Sequence, residues 1–269
     1  MTVEKVDYFT ELFSFEYPFN PQDPNRNDMA NQTLTLSPCG SGNYYRACRR
    51  EATGFPVDPA GGTNIQLRDD DYKQINLGSE RIDFYGTSYD TIYIGSNGYI
   101  TFVSGDTQYL EGLENHFALP RISALFDDLD PSVGGRVSYK QLNDRIAVTF
   151  ENVPETGLTG TNSFQIEMFY NGKIRITWLG ISAGDGLVGL SEGNGLPLYF
   201  VESNLSEYGL SNDIDNDCDT DFADYSILAS YWQAENCKLE NNWCSGADVN
   251  KDGKVGFYDL AEFALRWLQ

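Results

Sequence analysis

The chain is short of the residues on which most catalytic and metal sites are built. His116 is its only histidine, and none of its five cysteines (Cys39, Cys48, Cys218, Cys237 and Cys244) forms a CxxC pair. A zinc centre therefore has no support. His116 has no evident nucleophile partner and reads as a surface or packing residue, not as part of a hydrolytic triad. Positive charge is also scarce: 18 Lys+Arg stand against 40 Asp+Glu, a formal net charge of -22. That balance argues against unassisted binding to nucleic acid or to an anionic membrane, and it makes divalent cations natural partners. No apolar run approaches the roughly 18 residues of a membrane span. The opening stretch MTVEKVDYFTELF has no charged-then-apolar leader pattern, and the origin of Met1 stays open.

The cysteines allow two short bridges, Cys39–Cys48 across a Gly/Ser-rich loop and Cys237–Cys244, with Cys218 left over. Such bridges would imply an oxidising compartment, whereas free buried thiols would not.

What is present is a long series of strand signals, from Tyr72 to about Val201. DTIYIG and GYITFV flank Asn97-Gly98, a hairpin-turn pair. In SFQIEMFYNGKIRITWLGI, Phe164, Ile166, Met168 and Tyr170 alternate with Gln165, Glu167 and Phe169. Asn171-Gly172 then turns the chain, and Ile174, Ile176 and Trp178 alternate on the return. Period-two patterning with one polar face predicts an antiparallel sheet covered on one side. RVSYKQL and DRIAVTFENV add two strands, so the expected fold is a mainly β, jelly-roll-like antiparallel sandwich. Residues 1–70 are less regular and are expected to wrap it, with LFSFEYPF as an edge strand.

Near residue 208 the pattern changes to helical spacing in DYSILASYW and DLAEFALRWL, giving a sandwich domain over 1–208 and a small helical domain over 209–269. About 60 residues bury little core, so a metal or disulfide staple is expected there.

That second segment contains a duplication. DIDNDCDTDFADYSILASYW (residues 213–232) lies over DVNKDGKVGFYDLAEFALRW (248–267), aligning Asp213 with Asp248, Asp217 with Asp252, Phe222 with Phe257, Asp224 with Asp259 and Trp232 with Trp267. Oxygen donors at positions 1, 3, 5, 7, 9 and 12 define an EF-hand-type calcium loop, because Ca²⁺ takes six to eight hard oxygens that one tight turn can supply. The expected ligands of loop 1 are Asp213, Asp215, Asp217, the Asp219 carbonyl, Asp221 through water, and Asp224. Those of loop 2 are Asp248, Asn250, Asp252, the Lys254 carbonyl and Asp259, with Gly256 leaving position 9 to water. Two Ca²⁺ ions are expected. A solvated acidic linker is the bland alternative, which the register of the repeat disfavours.

The two loop–helix units over Asp213–Leu268 resemble the type I dockerin family, most closely the repeats on secreted proteins of environmental bacteria such as planctomycetes. The resemblance implies calcium-dependent folding and docking to a cohesin-like or other surface or scaffold protein. Family members of the cellulosomal kind carry small hydroxyl residues at loop positions 10 and 11. Here those positions hold Phe222-Ala223 and Phe257-Tyr258, which become the candidate partner-binding residues. More weakly, YIGSNGYITF, LPRISALFDDLDP and NSFQIEMFYNGKIRITWLGI resemble nidogen-type extracellular domains, which implies a non-catalytic extracellular module.

Asp127, Asp128 and Asp130 of LFDDLDP are further candidate metal ligands. Against that stand a capped turn before Pro131 and a glycosidase acid/base pair, although sequence neighbours point to opposite strand faces. Asp69-Asp70-Asp71 reads as a solvated turn. Aromatics form 14% of the chain, and Tyr44, Tyr45, Tyr85, Tyr89, Tyr93 and Tyr109 are either core or a carbohydrate platform. The expected function is a secreted or cell-surface bacterial protein, non-catalytic, that docks through its calcium domain. Polysaccharide binding is the alternative, and a glycoside hydrolase ranks third.

Overall fold

The computed structural model describes residues 8–14, 26–39, 44–208, 213–215 and 220–267. They divide into two compact units, Met1–Tyr208 and Gly209–Gln269.

The first unit is mainly β and sandwich-like. One antiparallel sheet runs in the order β1 (Glu11–Phe13), β15 (Gly186–Glu192), β10 (Pro120–Phe126), β9 (Tyr99–Thr101), β8 (Thr91–Gly95) and β5 (Tyr72–Asn76). The other runs β3 (Tyr44–Glu51), β2 (Gln32–Cys39), β14 (Ile174–Trp178), β13 (Thr161–Phe169), β12 (Arg145–Pro154), β11 (Arg136–Gln141) and β4 (Thr63–Ile65). A small hairpin, β6 (Ile82–Phe84) with β7 (Thr87–Tyr89), and a short helix α1 (Leu113–Phe117) complete it. Ile92, Ile94, Ile122 and Leu190 of one sheet share a core with Leu34, Phe150, Phe164, Ile166 and Trp178 of the other. The buried indole Nε1–H of Trp178 donates to the Ala124 carbonyl at 2.7 Å, a hydrogen bond from β14 to β10.

Both Asn-Gly hairpins form, pairing Ile94 with Ile100 and Met168 with Ile174. Four readings need correction. The sheet is not a jelly roll, because β11, β12, β13 and β14 meander as neighbours within one sheet, whereas a jelly roll passes successive strands between sheets. Residues 1–70 do not merely wrap the sandwich: they supply β1 at the edge of one sheet and β2, β3 and β4 of the other. The signal was the period-two TLTL stretch, which buries Leu34 and Leu36 and leaves Thr33 and Thr35 half-buried.

Nor is the polar face of β13 open. Gln165 and Glu167 are fully buried. Gln165 is covered by a loop whose Val57 gives its N–H to the Gln165 side chain at 3.0 Å and accepts from it at 2.7 Å. Glu167 is clamped by Arg145 at 3.1 Å and by Arg175 at 2.5 and 2.7 Å. Finally, Cys39 and Cys48 do not bridge. The register sets Cys39 opposite Tyr44 and Cys48 opposite Thr35, four residues apart along the hairpin, or about 13 Å at the usual rise per residue. A disulfide spans less than about 7 Å between Cα atoms. Cys39 is a free thiol and Cys48 is disulfide-bonded; Cys218 lies outside the described residues.

The second unit is small and helical. It contains α2 (Phe222–Ser230), a short turn labelled α3 (Asn242–Ser245) and α4 (Phe257–Trp267). Its core consists of Ile214, Leu228, Cys237, Cys244, Ala247, Val255 and Phe263. Cys237 and Cys244 are bonded, with Cα atoms 5.0 Å apart, and the Cys237 N–H donates to the Gly253 carbonyl at 3.1 Å.

Candidate functional site

In the C-terminal unit the two acidic loops are closed by the same device. Asp224 opens α2 and is fully buried. Its Oδ1 accepts the N–H groups of Ile214 at 2.5 Å and Asp215 at 3.0 Å, and its Oδ2 accepts that of Asp221 at 2.9 Å. Asp259 occupies the same position in the first turn of α4 and is also buried. Its Oδ1 accepts from Asn250 at 3.2 Å and its Oδ2 from Gly256 at 2.7 Å. In each loop the position-12 carboxylate therefore ties position 3 to position 9. Asp221 caps α2, taking the Ala223 N–H at 2.6 Å.

Loop 2 adds contacts at its start. The buried Asp248 accepts from Asp252 at 3.1 Å and from Gly253 at 2.9 Å. Gly253, at position 6, has φ +96°, a conformation that suits glycine and strains other residues. Asn250 takes a second contact from the Asp252 N–H at 2.9 Å, and Asp252 accepts from the Lys254 N–H at 3.1 Å. The side chain of Lys254 reaches Glu235 at 4.0 Å.

Asp213, Asp215 and Asp224 each bring one carboxylate oxygen within 4.8 Å of the others. The aspartates of loop 2 form no such trio. Asp217 and Asp219 lie outside the described residues.

The candidate docking residues stand out from this unit. Phe222, Phe257 and Tyr258 are 74%, 79% and 77% exposed, and Ala223 is exposed beside them. The duplication is visible in their packing. The Phe222 ring meets Trp267 edge-on at 4.8 Å, and Phe257 meets Trp232 edge-on at 5.2 Å, so the first aromatic of each helix packs against the terminal Trp of the other repeat. Phe222, Tyr225, Leu260, Phe263, Ala264 and Trp267 line an apolar groove of about 310 Å³.

In the sandwich, Asp127, Asp128 and Asp130 do not converge. Asp130 accepts the N–H and hydroxyl of Ser132 at 2.8 and 2.6 Å, capping the turn at Pro131. Asp128 accepts the Thr156 hydroxyl at 2.8 Å and gathers with Asp69 and Asp70. Asp127 turns the other way and gathers with Glu155 and Asp185, two residues that sequence reading did not single out. Burial, then the charges of Glu155 and Asp185, push the Asp127 carboxyl up to about 7, and burial with Asp185 also raises that of Glu155. Asp69 is raised too, by burial and by the charges of Asp130, Asp70 and Asp128.

His116 is fully buried. Its ring nitrogens lie 3.0 Å from the Ser123 hydroxyl and 3.5 Å from that of Thr10, and burial lowers its pKa to about 3. The chain also holds two GxSxG stretches, GISAG at 180–184 and GLSEG at 189–193. Neither opens onto a helix as a nucleophile elbow does: Ser182 donates to the Thr161 carbonyl at 3.1 Å, and Ser191 lies within β15, donating to Leu119 at 2.9 Å. Among the aromatic candidates, Tyr45 is buried, Tyr85 packs on Tyr45 and Phe84, and Tyr89 packs on Phe102. Tyr93 packs on Tyr72, and Tyr109 is exposed. The Tyr44 side chain lies outside the description.

A family model described as NIDO related matches residues 45–217, more than half of the chain. The chain belongs to the NIDO-related family. The matched region runs from β3 through β15, so both sheets are built largely from NIDO-related sequence, in line with the nidogen-type resemblance of the hairpin motifs. No dockerin model matches the C-terminal residues. Neither the curated proteins nor the solved structures contain a match.

Proposed function

We propose that this chain is a secreted or cell-surface, non-catalytic modular protein, in which a NIDO-related sandwich serves as the interaction module and the C-terminal unit is a calcium-dependent, dockerin-like docking domain. The observation that carries the reading is the shared closure of the two loops, with a buried aspartate at position 12 taking backbone N–H groups from positions 3 and 9 in each. The donors fit a hard cation: Asp213, Asp215 and Asp224 already place three oxygens within one ion's reach. Asp217 and the Asp219 carbonyl would complete loop 1, and Asp248, Asn250, Asp252, the Lys254 carbonyl and Asp259 would hold the second ion. The Cys237–Cys244 bridge supports an oxidising compartment.

The docking surface is the exposed aromatic set Phe222, Phe257 and Tyr258, with Ala223 beside it. Large aromatics where cellulosomal dockerins carry small hydroxyl residues point to a partner with an apolar receiving groove. The test is capture of surface or scaffold proteins from the source cell with the full chain in Ca²⁺ and in chelator. A partner retained in Ca²⁺ and lost from both the chelated sample and a Phe257→Ser/Tyr258→Ser variant is the expected result. A partner held equally in all three refutes this docking surface.

A further inference from the structure

We propose that the sandwich holds a divalent-cation site of its own, most suited to Ca²⁺, made by Asp127, Glu155 and Asp185 at the mouth of a cavity of about 570 Å³. It rests on residues of the first unit and is independent of the C-terminal loops.

Three segments distant in sequence build it. Asp127 follows β10 just past a register shift between Ser123 and Phe126. Glu155 is set by an isolated bridge to Leu129, flanked by the bonds Asp130 N–H to Pro154 O at 3.0 Å and Thr156 N–H to Asp128 O at 2.8 Å. Asp185 precedes β15 on a loop that the buried Asn162 side chain pins by accepting from Ser182 at 2.9 Å and Ala183 at 3.0 Å. The next residue is Gly186 (φ +104°), where a Cβ would stand 3.5 Å from that of Asp127 and only 3.0 Å from a Leu125 methyl. The absence of a side chain there lets the Asp185 segment close against Asp127.

An acidic cluster alone would prove nothing, but here one member is stranded. Asp127 is 7% exposed. Its Oδ1 takes the Asp128 N–H at 2.7 Å, while its Oδ2 is buried beside the cavity with no hydrogen-bond partner. Glu155 is 8% exposed. Among the described residues no Lys or Arg pairs with any of the three. Two other buried charges of the same sandwich are ion-paired, Glu167 with Arg145 and Arg175, and Arg121 with Asp106, and the buried Asp130 is satisfied by the N–H and hydroxyl of Ser132. Unpaired buried carboxylates are costly, and a cation relieves all three at once. Opposite oxygens around a Ca²⁺ ion at roughly 2.4 Å are about 5 Å apart, so oxygens within 4.8 Å of one another can share one ion. The donor set is oxygen only, and the cavity leaves room for the waters and hydroxyls, such as those of Thr156 and Ser182, that fill a Ca²⁺ shell.

The test is calorimetric Ca²⁺ titration of the chelator-stripped full chain at fixed pH, with thermal melts of the same samples. An Asp127→Asn/Glu155→Gln variant should bind one ion fewer per chain. An Asp224→Asn/Asp259→Asn variant should keep that ion, so failure of the C-terminal reading and failure of this one give different results. In chelator the Asp127→Asn/Glu155→Gln protein should melt above the wild type, because like charges have been removed. In Ca²⁺ the order should reverse, since only the wild-type sandwich transition rises. Equal ion counts in the wild type and a cooperatively melting Asp127→Asn/Glu155→Gln variant overturn the proposal. If that variant does not fold, Asp185→Asn, at a half-buried position, is read by the same count.

Discussion

In the sandwich, the buried charges of Glu167 and Arg121 meet opposite charge. Glu167 has two arginines on it, and Arg121 pairs with Asp106 while its guanidinium lies 4.2 Å from the centre of the Tyr99 ring. In the C-terminal unit, Asp224, Asp248 and Asp259 are just as buried, and the partners in view are backbone N–H groups of their own loops. The ion pairs found there, Lys238–Glu240 and Lys254–Glu235, are exposed. The apolar cores differ in the same sense: among the described residues, side chains from both sheets form the first and seven buried side chains form the second. A domain with a large core can carry ion pairs as local detail. One with a small core depends on whatever neutralises its carboxylates, which is why calcium is proposed there. Asp127, Glu155 and Asp185 are the place where the sandwich follows the C-terminal pattern.

The comparison can be broken from either side. Glu167→Gln should cost the sandwich about 3 kcal/mol, because it leaves Arg175 without a counter-charge and Arg145 with only the exposed Asp144. Its urea midpoint should fall while the C-terminal transition stays in place. Opening the Cys237–Cys244 bridge, which spans seven residues, should cost the C-terminal unit about 2 kcal/mol. A melt of a Cys237→Ser/Cys244→Ser variant, which leaves the disulfide of Cys48 intact, would show it, and a sandwich that shifted equally would contradict the separation of the two units. Phe257→Ser removes the edge contact with Trp232, worth about 1 kcal/mol, so its main effect should be on partner capture, not on melting.

The smallest effects are those of pH. Burial, with the Asp28 and Glu202 charges behind it and Arg49 opposing, raises the Glu11 carboxyl from 4.5 to about 7. The folded chain then holds that proton more tightly than the unfolded one. Its stabilisation is complete below pH 4.5 and is lost as pH rises through 7. Glu11→Gln should flatten that loss, so the variant melts a few degrees above wild type at pH 8 and level with it at pH 4. Buried His116, lowered from 6.5 to about 3, acts in the opposite sense: its contribution is complete above pH 6.5 and falls away as the pH drops toward 3. The two windows overlap with opposite sign, so melts of wild type and Glu11→Gln side by side between pH 4 and 8 separate the two slopes.

Much of the architecture was legible because strand period and turn chemistry are local. Asn97-Gly98 and Asn171-Gly172 turn where they should, and the helical spacing after residue 220 yields α2 and α4. The buried polar face of β13 was not legible, because what covers Gln165 comes from Val57, more than a hundred residues away. The carboxylate trio was half-legible. LFDDLDP announced Asp127, but its companions Glu155 and Asp185 are isolated acids in unremarkable loops, united by the Leu129–Glu155 bridge, the Asn162 side chain and the close approach at Gly186. Asp128 and Asp130 were false companions, since alternation aims one at Thr156 and a turn claims the other.

The most direct test of the central claim is scanning calorimetry of the full chain, stripped with chelator and then returned to millimolar Ca²⁺. The account predicts that the C-terminal transition is lost or strongly lowered in chelator, is restored by Ca²⁺, and loses that response in Asp224→Asn/Asp259→Asn. A C-terminal transition that stays at the same temperature with and without millimolar Ca²⁺ would contradict it, and the paired loops would then be acidic turns with no docking ion.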